Sequence, residues 1–304
     1  MKQETWNQIN LHTPRGLARA ISLVENNAEG YIGFLSGLQA QKNPPVIGIT
    51  GPPGAGKSTL VNALIGFLAS QGNKVGVLAV DPTSPFNFGS LLGDRIRMAE
   101  HYTNPNVFIR SLATRGSLGG LSAKAIEITD VLRGADFDYI IIETVGVGQS
   151  EVEIAGLADT TIVLLVPESG DEIQGIKSGI MEIADIFIVN KADRPGAEVY
   201  ISNLKKMLHA RPKTDWQIPV LATVAQKKEG IDKVSEAILK HQNSPHTQSR
   251  KPLLLAEKAY QLIQSKKMQG ISKPELAKKI ASLLQGGNLN LYKLVEEELK
   301  SITN

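Results

Sequence analysis

The sequence predicts an α/β fold: a doubly wound, mostly parallel sheet, with a helical N-terminal segment and a C-terminal helical arm. Three observations predict it. Short Val/Ile/Leu runs recur along residues 45–243, and continuous apolar runs suit strands buried on both faces of a parallel sheet. Amphipathic helical patterns fill the gaps between them, and strict alternation of this kind specifies a layered α/β sheet. The first run is followed at once by a glycine-rich loop and a helical pattern, Gly51-Pro-Pro-Gly-Ala-Gly-Lys-Ser-Thr59 leading into Leu60–Leu68.

The predicted strands are 46–50, 75–80, 107–111, 139–143, 161–166, 185–189 and 218–222. Residues 1–44 read as a helical segment, with Leu17–Glu25 and Tyr31–Leu38 as its candidates. Pro44-Pro45 punctuates the chain before the first strand. Residues 45–243 form the central domain. Asn243–Ser249 is polar and reads as a linker. Residues 244–304 then carry helical patterns near 253–269, 273–285 and 290–301, rich in Arg250, Lys258, Lys278 and other cations. Such a face is either solvated or used for docking. A helical hairpin with little core must pack on something, which favours an oligomer contact, a probable dimerisation arm.

Composition narrows the class. The chain has 304 residues, 42% hydrophobic and 21% charged, with a formal net charge of +3. That surplus does not argue for nucleic acid. No run of eighteen apolar residues suggests a membrane span, and Met1–Gln8 lacks the apolar stretch of a secretory signal. Cysteine is absent, which excludes disulfides and thiolate metal sites and suits a cytoplasmic protein.

The loop after the first strand fits G-x-x-x-x-G-K-[ST]. Gly51, Pro52, Pro53, Gly54, Ala55 and Gly56 would cradle phosphates with backbone N–H groups, and the start of the next helix, through Thr59, would add partial positive charge. Lys57 would reach the β- and γ-phosphates and Ser58 would ligate Mg²⁺. Asn190-Lys-Ala-Asp193 follows an apolar strand. The Asp193 carboxylate can accept both hydrogen bonds from the N1–H and N2 amine of guanine, a pair that adenine does not offer. The stem of Lys191 would cover a face of the base, and Asn190 would tie this segment to the phosphate loop.

Glu143 ends the strand Tyr139–Glu143, and Gly146 follows three residues later, the order in which P-loop enzymes place the acid near Mg²⁺ and the γ-phosphate sensor. Glu143 stands where Asp is usual, so it either holds a metal-bound water or orients the attacking water. Asp81 ends the neighbouring strand, where ligands bind in open α/β sheets, and Asp94 lies in the next segment. Magnesium takes oxygen ligands and keeps several waters; Ser58 with one or two of Asp81, Asp94 and Glu143 would satisfy it. Arg115, in a glycine-rich stretch, is either a charge stabiliser on a switch or part of an ordinary loop.

Together these segments resemble the MeaB/ArgK G proteins, relatives of the methylmalonic aciduria type A protein. The likeness runs over Ala18–Asn26, Gly51–Thr59, Asp81–Pro85, Gly93–Arg95, Ser111–Gly116, Glu143–Glu151, Asp171–Lys177 and Asn190–Asp193. The resemblance implies a homodimeric P-loop GTPase that binds GTP and GDP with Mg²⁺. It further implies a chaperone role toward an adenosylcobalamin-dependent acyl-CoA mutase, gating cofactor loading and protecting or rescuing that enzyme. It assigns Asp81, Asp94 and Glu143 to Mg²⁺ and switch chemistry, and Lys177 to a switch that turns toward nucleotide when the mutase binds. It places Val224, Ala225 and Gln226 beside the base. The chain departs from the family pattern at Ser117, at Glu168-Ser169-Gly170, at Val224 and at Lys228-Glu-Gly230. A metal-insertion GTPase would want collecting His or Cys residues, and only five His are present. A protein-targeting GTPase would want a Met-rich groove, and a transport-associated ATPase or kinase is disfavoured by the guanine-reading Asp193.

Overall fold

A computed structural model describes residues 4–39, 42–81, 98–113, 123–144, 150–167, 178–210, 215–268 and 271–303. All seven predicted strands form: β1 (Val46–Thr50), β2 (Val75–Asp81), β3 (Val107–Ala113), β4 (Tyr139–Glu143), β5 (Thr160–Leu165), β6 (Ile186–Val189) and β7 (Val220–Ala222). They make one sheet of order β3-β2-β4-β1-β5-β6-β7, and every pairing is parallel. Strand β1 therefore lies between β4 and β5, so the loops that leave these three strands open on one edge of the sheet.

The helices of the central region are α4 (Lys57–Ser70), α5 (Ala123–Arg133), α6 (Ser150–Leu157), α7 (Ser178–Ile183), α8 (Ala197–His209) and α9 (Ile231–Gln242), preceded by α1 (Glu4–Asn7), α2 (Pro14–Glu25) and α3 (Tyr31–Ser36). Alternation along the strands divides the core. Ile47, Ile49, Val77, Ile141, Ile162, Leu164 and Ile188 pack with Leu60, Leu64 and Leu68 of α4 and Val234 and Ile238 of α9. Val163, Leu165, Phe187 and Val189 face the other way, against Met181, Tyr200 and Leu204. Full burial of such a side chain contributes about 1.5–3 kcal/mol, so both faces of β5 and β6 are committed to packing.

The N-terminal segment is helical as read. Thr13 caps α2, its hydroxyl accepting from Gly16 N, and Pro14 stands in the first turn. Leu17, Ala20, Ile21 and Val24 form the buried stripe of α2, which lies against α5. Arg110 of β3 secures its far end, donating to Glu25 at 2.9 Å and to Ser22 Oγ at 3.2 Å.

The stretch read as a linker is instead the start of a long helix, α10 (Pro245–Lys267). Ser244 Oγ accepts from Thr247 N at 3.3 Å, and Pro245 fills the first helical position, where a missing N–H costs nothing. Polarity alone suggested a linker; the Ser-Pro cap is the local signal that overrides it. Within this helix Arg250 and Lys258 depart from the solvated-face reading, since Arg250 pairs with the buried Asp185 and Lys258 is itself buried.

The chain divides into two compact units, Met1–Leu254 and Leu255–Asn304, with the division inside α10. The second unit continues with α11 (Lys273–Gln285) and α12 (Leu291–Thr303). Ser272 caps α11 by accepting from Glu275 N at 3.2 Å, and Lys279 of α11 pairs with Glu298 of α12 at 2.5 Å. Among the described residues, no helix is long and apolar enough to cross a membrane.

Candidate functional site: a glycine loop tied to the segment after β6

The loop from β1 to α4 needs its glycines. Gly51 has φ +147, and a Cβ there would lie 2.1 Å from Leu164 O. Gly56 has φ +92, and a Cβ there would lie 2.5 Å from Asn190 Nδ2. Both positions are excluded to any other residue by close backbone or amide approach. Helix α4 begins at Lys57 directly behind this loop, so its first N–H groups face the concavity.

Lys57 is buried, and its ammonium donates to Gly51 O at 2.8 Å and Pro52 O at 3.1 Å. The side chain thus folds back over the loop, with its charge held at the centre of the cradle. Thr59, one position past Ser58, is exposed on the first turn of α4.

Ser58 Oγ donates to Glu143 Oε1 at 2.6 Å, and both residues are buried. The sheet register places them: Ile49 of β1 pairs with Glu143 at the end of β4. The Glu143–Ser58 contact brings a hydroxyl and a carboxylate to one point beside the loop, the hard oxygen donors that Mg²⁺ selects. Strand β2 ends at Asp81, whose side chain lies outside the described residues, as do Asp94, Arg115, Gly146 and Lys177.

Asn190 follows β6 and is the central tie. Its Nδ2 donates to Ala55 O at 2.9 Å. Its Oδ1 accepts from Thr223 Oγ1 and from Ala225 N, each at 3.1 Å. One buried amide therefore binds the phosphate loop to the segment after β7. Lys191 takes the left-handed conformation, φ +56, uncommon for a residue with a Cβ. Its ammonium donates to Gly54 O at 2.8 Å, which lays the aliphatic stem across the opening between loop and Asn190.

Asp193 is exposed and pairs with Lys227 at 3.2 Å. An exposed pair of this kind is worth about 0–1 kcal/mol, so it is held only weakly. The N–H groups of the last segment are sorted by use. Val224 N donates to Glu229 O, Lys227 N to Val224 O and Lys228 N to Ala225 O, while Ala225 N serves Asn190. The amide of Val224 is thus engaged within its own turn, and Gln226 is exposed. Sequence reasoning named the residue types here; it did not find the Lys227–Asp193 pair or the Lys191–Gly54 bond, since neither leaves a spacing signal.

A glycine loop between β1 and α4, a hydroxyl–carboxylate pair at the end of β4 and the Asn190-Lys-Ala-Asp193 segment after β6, tied to that loop, are the arrangement of a P-loop GTPase. The comparisons agree. The family model described as methylmalonyl-CoA mutase-associated GTPase MeaB matches residues 17–278, and the chain belongs to that family. A protein of Pyrococcus horikoshii named as a GTPase is 48% identical over 232 residues, 75% of this chain and 73% of that one. The Escherichia coli GTPase ArgK is 40% identical over 233 residues, 73% and 70% of the two chains. A solved structure described as LAO/AO transport system kinase superposes with a TM-score of 0.67 at 26% identity, over 100% of this chain and 99% of that one. The mouse methylmalonic aciduria type A homologue is 42% identical over 205 residues, 65% of this chain and 49% of its own length.

Proposed function

We propose that this GTPase hydrolyses GTP slowly as a timer and serves as a chaperone for an adenosylcobalamin-dependent acyl-CoA mutase, gating cofactor loading and protecting or reactivating that enzyme. The observation that carries the nucleotide half is the Asn190 amide, which makes the phosphate loop and the base-reading segment one hydrogen-bonded unit. A ligand that spans both must carry phosphates at one end and a purine edge at the other. Asp193 accepts from two adjacent N–H groups of guanine, and the Gln226 N–H faces its O6. Membership of a family described as mutase-associated supports the partner half.

The hydroxyl of Ser58 and the carboxylate of Glu143 fit Mg²⁺, with Asp81 and Asp94 as further oxygen donors in our assignment. When bound, the ion neutralises charge on the β- and γ-phosphates. Lys57 exchanges its loop carbonyls for phosphate oxygens, and the loop amides hold the transferred group in line. Catalysis is then mainly positioning and charge stabilisation, with Glu143 orienting the attacking water or the metal shell. Gly146 is assigned to γ-phosphate sensing and Lys177 to the partner-dependent switch.

We further infer a homodimer through the second unit. Leu255, Tyr260, Ile263, Tyr292, Val295 and Leu299 are all exposed in the single chain, and apolar surface of that extent on a small helical unit suits association.

Calorimetry with Mg²⁺ should show guanosine nucleotides bound at least about 100-fold tighter than adenosine nucleotides, as a site built to bond two N–H groups rejects a base lacking them. Equal affinities would overturn the base assignment. Capture of a cobalamin-dependent mutase on the immobilised protein, differing between GDP and a non-hydrolysable GTP analogue, tests the partner. Capture of no mutase in either state refutes it.

A further inference from the structure

At the opposite end of the sheet, where β5 and β6 begin, a polar network lies buried beneath the root of α10. Asp185, immediately before β6, is its hub. Its Oδ2 accepts from Thr161 N at 2.8 Å. Its Oδ1 accepts from Arg250 Nη1 at 2.7 Å and lies 3.4 Å from His241 Nε2. Its backbone carbonyl accepts from Trp216 Nε1 at 2.8 Å. His241, on α9 and only 1% exposed, has Nδ1 2.8 Å from Thr160 Oγ1 and packs its ring edge-on against Trp216 at 4.8 Å. Thr247 Oγ1 of α10 donates to His241 O at 2.6 Å. His246, on the first turn of α10, has Nε2 3.4 Å from Arg250 Nη1.

Asp185, His241 and His246 bring three ligand atoms within 4.8 Å of one another, which invites a metal reading. Arg250 answers it: the guanidinium already stands on Asp185 Oδ1 and beside His246 Nε2. The network carries its own cation. His241 stands between Asp185 Oδ1 and Thr247 Oγ1 at Nε2 and the Thr160 hydroxyl at Nδ1. Neutral His246 accepts from Arg250 at Nε2. The carboxylate and the guanidinium then balance.

We propose that Asp185, His241, His246 and Arg250 form a pH-sensitive latch on the first turns of α10, closed at neutral pH and released by acid. Protonating His246 turns its Nε2 from an acceptor into a donor aimed at a guanidinium, so the bond to Arg250 becomes a repulsion. Burial and the Arg250 charge hold His246 below the ordinary histidine value of 6.5, with His241 acting in the same sense and Asp185 and Asp215 opposing. A histidine depressed in the closed state binds its proton more readily when the latch opens. The closed form therefore carries no penalty above about pH 6.5 and loses ground as pH falls below it. Burial works to raise Asp185, but His241, the Thr161 N–H and Arg250 outweigh it and hold the carboxyl below 3.8. Its contribution is complete above 3.8 and lost only in stronger acid. Release in mild acid is thus the work of His246.

The test is amide hydrogen exchange on the whole protein at pH 7.5 and 5.5, normalised for intrinsic rate, read by mass spectrometry over 245–250. The wild-type segment should exchange about three- to tenfold faster at pH 5.5, up to tenfold for each unit of pKa difference, while α4 and α9 stay protected. His246→Gln keeps an acceptor for Arg250 and cannot titrate, so its segment should change less than about twofold between the two pH values. Equal wild-type protection at both pH values, an unchanged acid response in H246Q, or acceleration spread evenly over α4 and α9 would each overturn the latch. None of these outcomes depends on which nucleotide the protein binds.

Discussion

Truncating Asn190 to alanine isolates the contact that joins the loop after β1 to the segment after β7. The side chain makes three hydrogen bonds, to Ala55 O at 2.9 Å and from Thr223 Oγ1 and Ala225 N at 3.1 Å each, and the residue is 3% exposed. The Thr223 hydroxyl can rotate to another acceptor. The Ala55 carbonyl and the Ala225 N–H are backbone groups fixed by their turns, and the variant strands both. A buried group left without its partner costs about 1–3 kcal/mol, so the pair gives about 2–6 kcal/mol, centred near 4. Only part of that survives in the bound state, because a phosphate must then order the loop by itself. If about half of the cost falls on binding, nucleotide affinity drops about 30-fold, at 1.4 kcal/mol per tenfold. Urea unfolding followed by circular dichroism measures the first quantity and calorimetry with GDP and Mg²⁺ the second. Thr223→Val, which removes one of the three contacts, should cost about 1 kcal/mol and serves as the scale. An Asn190→Ala protein within about 0.5 kcal/mol of wild type and within twofold in affinity would show that the amide joins nothing that matters.

Other perturbations separate the parts of the site. Lys57→Ala removes the ammonium held by the carbonyls of Gly51 and Pro52 and should abolish measurable GTP turnover; turnover within threefold of wild type would refute its role. Asp193→Asn replaces one acceptor oxygen with a donor and should shift preference from guanine toward xanthine nucleotides, read by competition binding; retained guanine preference would remove Asp193 from base recognition. Gly51→Ala forces a Cβ to within 2.1 Å of Leu164 O at φ +147, so it should destabilise the fold by about 3 kcal/mol or more in urea, and a loss under 1 kcal/mol would contradict the loop geometry.

Much of this molecule is legible in its sequence because parallel strands buried on both faces read as plain apolar runs. Ile140, Ile141 and Ile142, or Ile162 through Leu165, leave no competing period, and all seven strands lie where such runs occur. The motifs were legible for the same reason: each begins where an apolar run ends. What escaped is long-range pairing between polar groups. The Ser58–Glu143 bond joins residues 85 apart in the chain, and Arg250–Asp185 joins residues 65 apart. No local pattern distinguishes an arginine that pairs with a buried carboxylate from one facing water, so Arg250 read as part of a basic surface. The start of α10 escaped for a different reason: the polar character of Asn243–Ser249 outweighed the Ser244-Pro245 cap within it.

The positions of the site residues are set by the sheet rather than by their own contacts. Glu143 stands beside the phosphate loop because β4 pairs with β1 in the register Ile49↔Glu143. Asn190 stands above Ala55 because β5 pairs with β1 at Thr50↔Val163 and β6 with β5 at Leu165↔Val189. Each ladder fixes its strand to within one residue, since a slip of one would turn every buried side chain of that strand to the opposite face. Both faces of β5 and β6 are packed, with Leu164 and Ile188 toward one helix layer and Val163 and Phe187 toward the other. A slip in either strand would therefore exchange the large side chains of two cores at once. The energy that holds Asn190 over the loop thus resides mainly in apolar packing several residues away. The amide bond then selects the last ångström. This division explains how a few polar side chains with modest individual energies are held at fixed geometry.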